Sequence, residues 1–264
     1  MELMKIFMVE LDKVRKSGRL DYDFYDPEQA KQIELVKGYR RDVLGNLCVK
    51  ITTGKTAPRN SYPNSGVRIL KVKNTTGNGI RWNDKFFVTE EFYESAKNKA
   101  SVQENDILML CSAHNKVYIG RADIITRFPK EITDDGNRCL CVGELIIIRA
   151  DPQKVNPEYL ITFFRLPIVQ EKIRKLVKGQ TAHLYPRDLA KLEIVLPPPE
   201  IQDEIAQLNK EAEEEYLRLI RRAETDLREN RELIKSIILT GENNGDNSRN
   251  PEKTEIDGDG SDDK

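Results

Sequence analysis

Gly54-Lys55-Thr56-Ala57-Pro58 opens a polar stretch that continues through Arg59 and Asn60, and three comparable stretches follow it. The second holds Lys73, Asn74 and Arg81; the third holds Ser112, His114, Asn115 and Lys116. The fourth holds Lys178, Gln180, Thr181, His183 and Tyr185, after the basic run Lys172, Arg174 and Lys175. Lysine and arginine neutralise phosphates, while short amide and hydroxyl groups exchange hydrogen bonds with the edges of bases. A glycine at the head of the first stretch permits close backbone approach. Taken singly, each residue is equally well described as a solvated loop side chain. Together, as four groups interrupting one β-rich region, they form a candidate polyanion-reading set.

Catalytic chemistry is harder to assemble. The two histidines, His114 and His183, are too few for a His-rich metal centre, and neither sits in a triad-like context. A carboxylate-type nuclease would want Glu-x-Lys on a strand, and that tripeptide is absent from the chain. Gly77-Asn78-Gly79 lacks the third glycine of a dinucleotide loop, and no phosphate loop of the form Gly-x-x-x-x-Gly-Lys occurs. Pro197-Pro198-Pro199 sits between Leu196 and Glu200, so it lacks the polar and aromatic flanks that hold a target amine in adenine methyltransferases. The adjacent Asp134 and Asp135 read as solvated turn residues. Cys139 and Cys141 share one face of a strand-like run, Cys48 and Cys111 stand apart, and all four read as reduced structural thiols. No catalytic, metal or cofactor site is therefore expected in this chain.

The net charge of −1 conceals three unlike segments. Residues 200–264 carry 10 of the 43 Lys/Arg and 19 of the 44 Asp/Glu, which leaves residues 1–199 about +8. A basic body suits a polyanion surface, because its cations release counterions condensed on phosphates. The apolar runs fall far short of the ~20 residues that cross a bilayer, and the N-terminus lacks the features of a signal peptide. A soluble, cytoplasmic protein is expected.

The elements that would position these residues belong to the α+β class, mainly β-rich with flanking helices. Residues 1–40 form a lead-in, with Pro27 placed to open a helix over Glu28–Lys37. A recognition domain over 41–199 begins with short β-rich runs at Leu47–Thr52, Val67–Val72, Asp106–Leu110, Val117–Ile125, Arg138–Val142 and Glu144–Arg149. Asn156 is placed to cap a helix with Pro157 at its first position, and Pro167 to break it before a second helical stretch ending at Gly179. Leu160, Phe163, Phe164, Val169, Ile173 and Leu176 are its core-facing residues. A last strand over Leu192–Leu196 runs into the three prolines.

Beyond them, Ile201, Ile205, Leu208, Ala212, Tyr216, Leu219, Ala223, Leu227, Ile234 and Ile238 recur at three, four or seven residues among charged neighbours. This predicts one long helix over 200–239, roughly 60 Å at about 1.5 Å per residue. A single small domain cannot cover such a seam, so it is expected to pair, most economically with another copy. The tail over 240–264 is acidic and nearly devoid of apolar groups, hence expected to be disordered.

In order, Arg19-Leu20-Asp21-Tyr22-Asp23-Phe24-Tyr25-Asp26-Pro27, the Gly54–Pro58 stretch, Asp106-Ile107-Leu108, Pro157-Glu158-Tyr159-Leu160, Gly179-Gln180-Thr181 and Leu192–Pro198, followed by Gln202 and Ile205-Ala206, make a familiar series. It resembles the DNA specificity subunit of type I restriction-modification systems over about residues 19–240. Ala57, where the family has Thr-Pro in succession, and Ile201, where it has Glu, are departures. Family members carry two target recognition domains and two long helices; this chain has one of each. The resemblance therefore implies a half-length subunit whose homodimer reads a symmetric bipartite site in double-stranded DNA. It implies as partners adenine methyltransferase subunits and a restriction subunit, with S-adenosylmethionine, ATP and Mg bound in those other chains. DNA methylation and phage defence would follow from the assembly. From the residues alone a second reading stands beside it, a non-catalytic protein- or RNA-binding adaptor oligomerised by its coiled coil.

Overall fold

A computed structural model of the chain describes residues 8, 10–12, 15, 38–179 and 182–240. The lead-in helix expected after Pro27, the acidic tail, Gln180 and Thr181 lie outside the described residues. Two compact units divide the chain, Met1–Glu211 and Ala212–Lys264.

The first unit is built on a four-stranded antiparallel sheet. Its strands are β2 (Cys48–Thr53), β5 (Asp106–Leu110), β6 (Ala122–Ile124) and β8 (Leu145–Ala150), in the order β2-β8-β5-β6. Alternation along the two central strands explains the layers on either side. Ile107, Met109, Ile146 and Ile148 point to one core, which holds Leu160, Phe164, Val169 and Ile173 of helices α4 (Pro157–Arg165) and α5 (Pro167–Lys175). Leu108, Leu110, Leu145 and Ile147 point to the other. There they meet a smaller sheet of β3 (Val67–Leu70), β4 (Phe87–Val88) and β7 (Cys139–Cys141), ordered β4-β3-β7, with β3 and β7 parallel. Because both faces are covered, the central strands carry apolar runs, residues 107–110 and 145–148, instead of alternating with polar residues, and their paired polar ends, Asp106 and Arg149, form a salt bridge at 2.7 Å.

The fold is α+β, as the sequence predicts, and Asp106–Leu110 is a strand over the residues expected. Asn156 caps α4 by accepting from the N–H groups of Glu158 and Tyr159, with Pro157 in the first turn. Helix α5 ends at Lys175, short of Gly179, and the chain then turns into a bridge between Lys178 and His183. The run expected as one strand over Val117–Ile125 divides into a 3-10 turn, Lys116–Tyr118, and β6. Asn115 starts that turn by accepting from the N–H of Val117, and Gly120 leaves it at a φ of 93°. Helix α2 (Glu90–Ala100) is not among the elements expected from sequence. Thr89 caps it, Glu90 and Glu91 occupy its first turn, and Lys97 and Lys99 its last. Further short elements are β1 (Arg40–Val43), which pairs with β9 (Glu193–Leu196), α1 (Leu44–Leu47), α3 (Lys130–Thr133) and α6 (Pro186–Leu189).

Helix α7 runs from Pro199 to Thr240. Its first turns belong to the first unit: the Gln202 amide donates to the Pro197 carbonyl and accepts from the N–H of Asn156, and Ile205 packs on the core. Along the remainder, Leu208, Tyr216, Leu219, Leu227, Ile234 and Ile238 are each 46–75% exposed. Among the described residues no helix is long and apolar enough to cross a membrane.

Candidate nucleic-acid interface

Strand direction collects the polar stretches at one end of the two sheets. Registers place the C-terminal ends of β2 and β5 beside the N-terminal ends of β8 and β6, at Thr53↔Ile146, Leu110↔Leu145 and Met109↔Ala122. In the smaller sheet Leu70 and Cys141, the last residues of β3 and β7, are partners. A backbone bond from the N–H of Lys55 to the Cys141 carbonyl joins the two sheets at this end, while that from Gly54 to the Leu145 carbonyl extends the pairing of β2 with β8. Gly54 has to lack a side chain, since a Cβ would lie 2.1 Å from the carbonyl oxygen of Cys141 and 2.4 Å from that of Val142.

The two-residue turn Gly143-Glu144 ties three of the four stretches together. The Thr56 hydroxyl donates to Glu144 Oε2 at 2.7 Å and accepts from the Gly143 N–H at 2.9 Å. The Cys111 N–H donates to the Glu144 carbonyl, and the Cys111 carbonyl accepts from Leu184. Ser112 and His183 then form an antiparallel bridge, with Ser112 Oγ 3.3 Å from His183 Nε2. His183 stacks on Tyr185, whose ring lies 5.6 Å from the Arg187 guanidinium carbon.

Individual candidates differ in what they can still offer a ligand. Arg59 is exposed, in the 3-10 turn Arg59–Ser61 that also holds Asn60. His114 and Lys116 are exposed, and Asn115 uses its side-chain oxygen to start the next turn. Lys55 is committed to the Ser95 carbonyl and hydroxyl and to the Phe92 ring. Lys178 donates to Asp188 at 3.0 Å. Asn74 is fully buried: it accepts from the Lys71 N–H and donates to the carbonyls of Arg81 and Asp84. It shapes its loop from within, while Lys73 and Arg81 flank Asp84 at 3.1 and 3.7 Å.

Three residues outside the candidate set complete the same end. Lys71 lies with its Nζ 3.4 Å from the Tyr62 ring centre and 4.6 Å from that of Phe86, and burial lowers its pKa. Arg121 stacks its guanidinium over Tyr118, which is 51% exposed. They belong to runs read as continuous strands, Val67–Val72 and Val117–Ile125, which is why sequence reasoning passed over them; for Arg121, the Tyr-x-Gly-Arg segment beside an Asn-initiated turn is the signal that separates it. Buried Asp123 accepts from the N–H groups of Gly77 and Gly79 and pairs with Arg165 at 3.1 Å. It thereby sets the tip of the second stretch against β6.

The assembled surface is cationic, polar and carries exposed aromatic rings. Hydroxyls, amides and guanidinium groups of this kind bind phosphates and base edges. The cysteine thiols stay protonated and out of this chemistry: burial pushes Cys48, Cys111 and Cys139 up to about 12 and raises Cys141 well above the ordinary thiol value.

Comparison with known proteins adds a family to this geometry. A family model described as the type I restriction modification DNA specificity domain matches residues 43–215. Among solved structures the chain is similar to one from work on complex assembly and conformational transition of the type I R-M system, with a TM-score of 0.52 and 18% identity. That match covers 84% of this chain and 53% of the other. The chain is also similar to the type I restriction-modification S subunit from M. genitalium, with a TM-score of 0.53, 14% identity and coverage of 76% and 46%. At these identities the likeness is one of fold, and the chain spans about half the length of each structure. No curated protein matches the sequence.

Proposed function

The chain belongs to the type I restriction-modification DNA specificity family, whose members are non-catalytic recognition subunits, and from that premise we propose that it reads one half of a bipartite DNA site. The observation that carries the reading is the convergence of six strand ends and their polar loops on one end of the domain, within the residues of the family match. Loops held from a packed frame lose little freedom on binding, so their donors and acceptors act as a fixed stencil for base edges. Exposed cations such as Arg59 and Lys116 supply phosphate contacts that orient the frame without selecting sequence.

In this proposal the exposed seam of α7 pairs with that of a second copy, which brings two recognition domains together. Two reading heads joined by paired helices of roughly 60 Å would address half-sites about one to two helical turns apart. Adenine methyltransferase subunits and a restriction subunit are the proposed partners, and S-adenosylmethionine, ATP and Mg belong to those chains. The test is to express the chain with a type I methyltransferase subunit and map methylated adenines. A palindromic, interrupted motif is expected. An asymmetric motif would overturn the homodimer, and methylation indifferent to the presence of the chain would overturn the recognition role.

A further inference from the structure

Tyr118, Arg121, Arg165 and Gly77 line a cleft of about 360 Å³ beside β6. Its two arginines are differently placed. Arg165 meets the buried carboxylate of Asp123 at 3.1 Å, whereas Arg121 has no carboxylate partner among the described residues; a buried Nε without a hydrogen bond is common to both. Other partly buried guanidinium groups are met by protein acceptors, Arg149 by Asp106, Arg138 by Glu90 and Asp135, and buried Arg68 by the carbonyls of Trp82 and Asp84. The terminal nitrogens of Arg121 are thus the donors left for a ligand, since the dry Nε is out of reach of one.

Arg121 is also held in place. A Cβ on Gly77 would lie 3.2 Å from both Cγ and Cδ of Arg121, so the turn covers the arginine stem. That turn is pinned by Asp123 through the N–H groups of Gly77 and Gly79, at 2.9 and 2.7 Å. On its other side the guanidinium carbon sits 5.6 Å from the centre of the Tyr118 ring. A braced planar fork with a buried Nε presents only its terminal nitrogens, and a side-by-side pair of acceptors matches it.

We propose that Arg121, braced between Tyr118 and Gly77, is a specificity-determining residue that reads the O6/N7 edge of a guanine in each half-site, an inference that rests on the DNA-recognition reading above. Among base pairs in the major groove, guanine offers the two adjacent acceptors that a guanidinium takes in bidentate fashion. Val117 and Tyr118, exposed at the lip, lie against the apolar flank of the neighbouring nucleotide.

The experiment uses the full chain assembled with its methyltransferase subunit. Duplexes carrying the mapped site, and variants with each single base changed, are compared by competition binding for wild type, Arg121→Lys, Arg121→Ala and Arg59→Ala. For wild type, replacing one fixed guanine per half-site is expected to weaken binding roughly ten- to a hundredfold. Arg121→Ala should lose that discrimination at this position and keep it elsewhere, and Arg121→Lys should weaken it because an ammonium lacks the planar fork, while Arg59→Ala lowers affinity evenly across all duplexes. Retained discrimination in Arg121→Ala would make the contact a phosphate clamp and overturn the inference. A wild-type motif with no fixed guanine on either strand would also overturn it, with the recognition role intact. A wild type without any preference would instead remove the recognition reading and this inference together.

Discussion

Asn74 and Arg59 show how two polar residues of similar appearance in sequence separate once packing is considered. Asn74 spends its amide on three backbone partners inside the domain, and Arg59 stands exposed in a short turn. Their residue types suit contact with nucleic acid equally well, so a chain read without contacts ranks them together. Lys55 and Thr56 fall between, since Ser95, Phe92, Glu144 and Gly143 already engage them. A phosphate contact is therefore expected from Arg59 more than from Lys55. Arg59→Ala should weaken binding at all sequences and reduce the slope of log affinity against log salt by about one. Lys55→Ala should change that slope by less, and equal slopes in a fluorescence-anisotropy salt series would return both residues to the same role. What sequence did carry at this scale was the location of the loops; which side chain in each faces outward is set by partners far along the chain, such as Ser95 for Lys55 or Glu144 for Thr56.

The elements were legible where one local rule acted alone. An uninterrupted apolar run yields β5 and β8, and the Asn-Pro pair at 156–157 opens α4. Helix α2 was missed although Thr89, the acidic first turn and the basic last turn were all present, because only Ala96 and Ala100 of its residues are fully buried and its apolar stripe is thin. The short strands β1 and β4 owe their pairing to partners more than a hundred and about twenty residues away, respectively, which periodicity does not report. Burial of the cysteines along these elements has a measurable consequence. The unfolded chain releases its thiol protons near the ordinary value of 9.0, while folded Cys48, Cys111 and Cys139 hold theirs to about 12. Between those values the folded state binds more protons, so stability is expected to fall as pH rises from 9 toward 12. Urea titrations at pH 8 and pH 10.5 check this, and substituting Cys139 by Ala should flatten the dependence. An unchanged pH dependence in that variant would assign the alkaline loss to other groups.

At the scale of the whole molecule, the long helix was the clearest feature of the sequence because a seam repeating over forty residues admits no other arrangement. Its beginning was less clear, since Gln202 and Ala206 are buried with the recognition domain ahead of the exposed stretch. Leu208→Asp with Leu219→Asp is expected to convert the proposed dimer to monomer in sedimentation velocity while leaving the recognition domain folded. A wild type that sediments as monomer would require a different partner for the seam. The Gly143-Glu144 turn has a further consequence. Because Thr56, Cys111 and, through Cys111, Leu184 all hang on those two residues, the loops proposed to read DNA are mechanically interdependent. Swapping one loop to retarget the protein will shift the others, so specificities assembled loop by loop should be epistatic, and grafts that move all three with their common anchor should transfer an address intact.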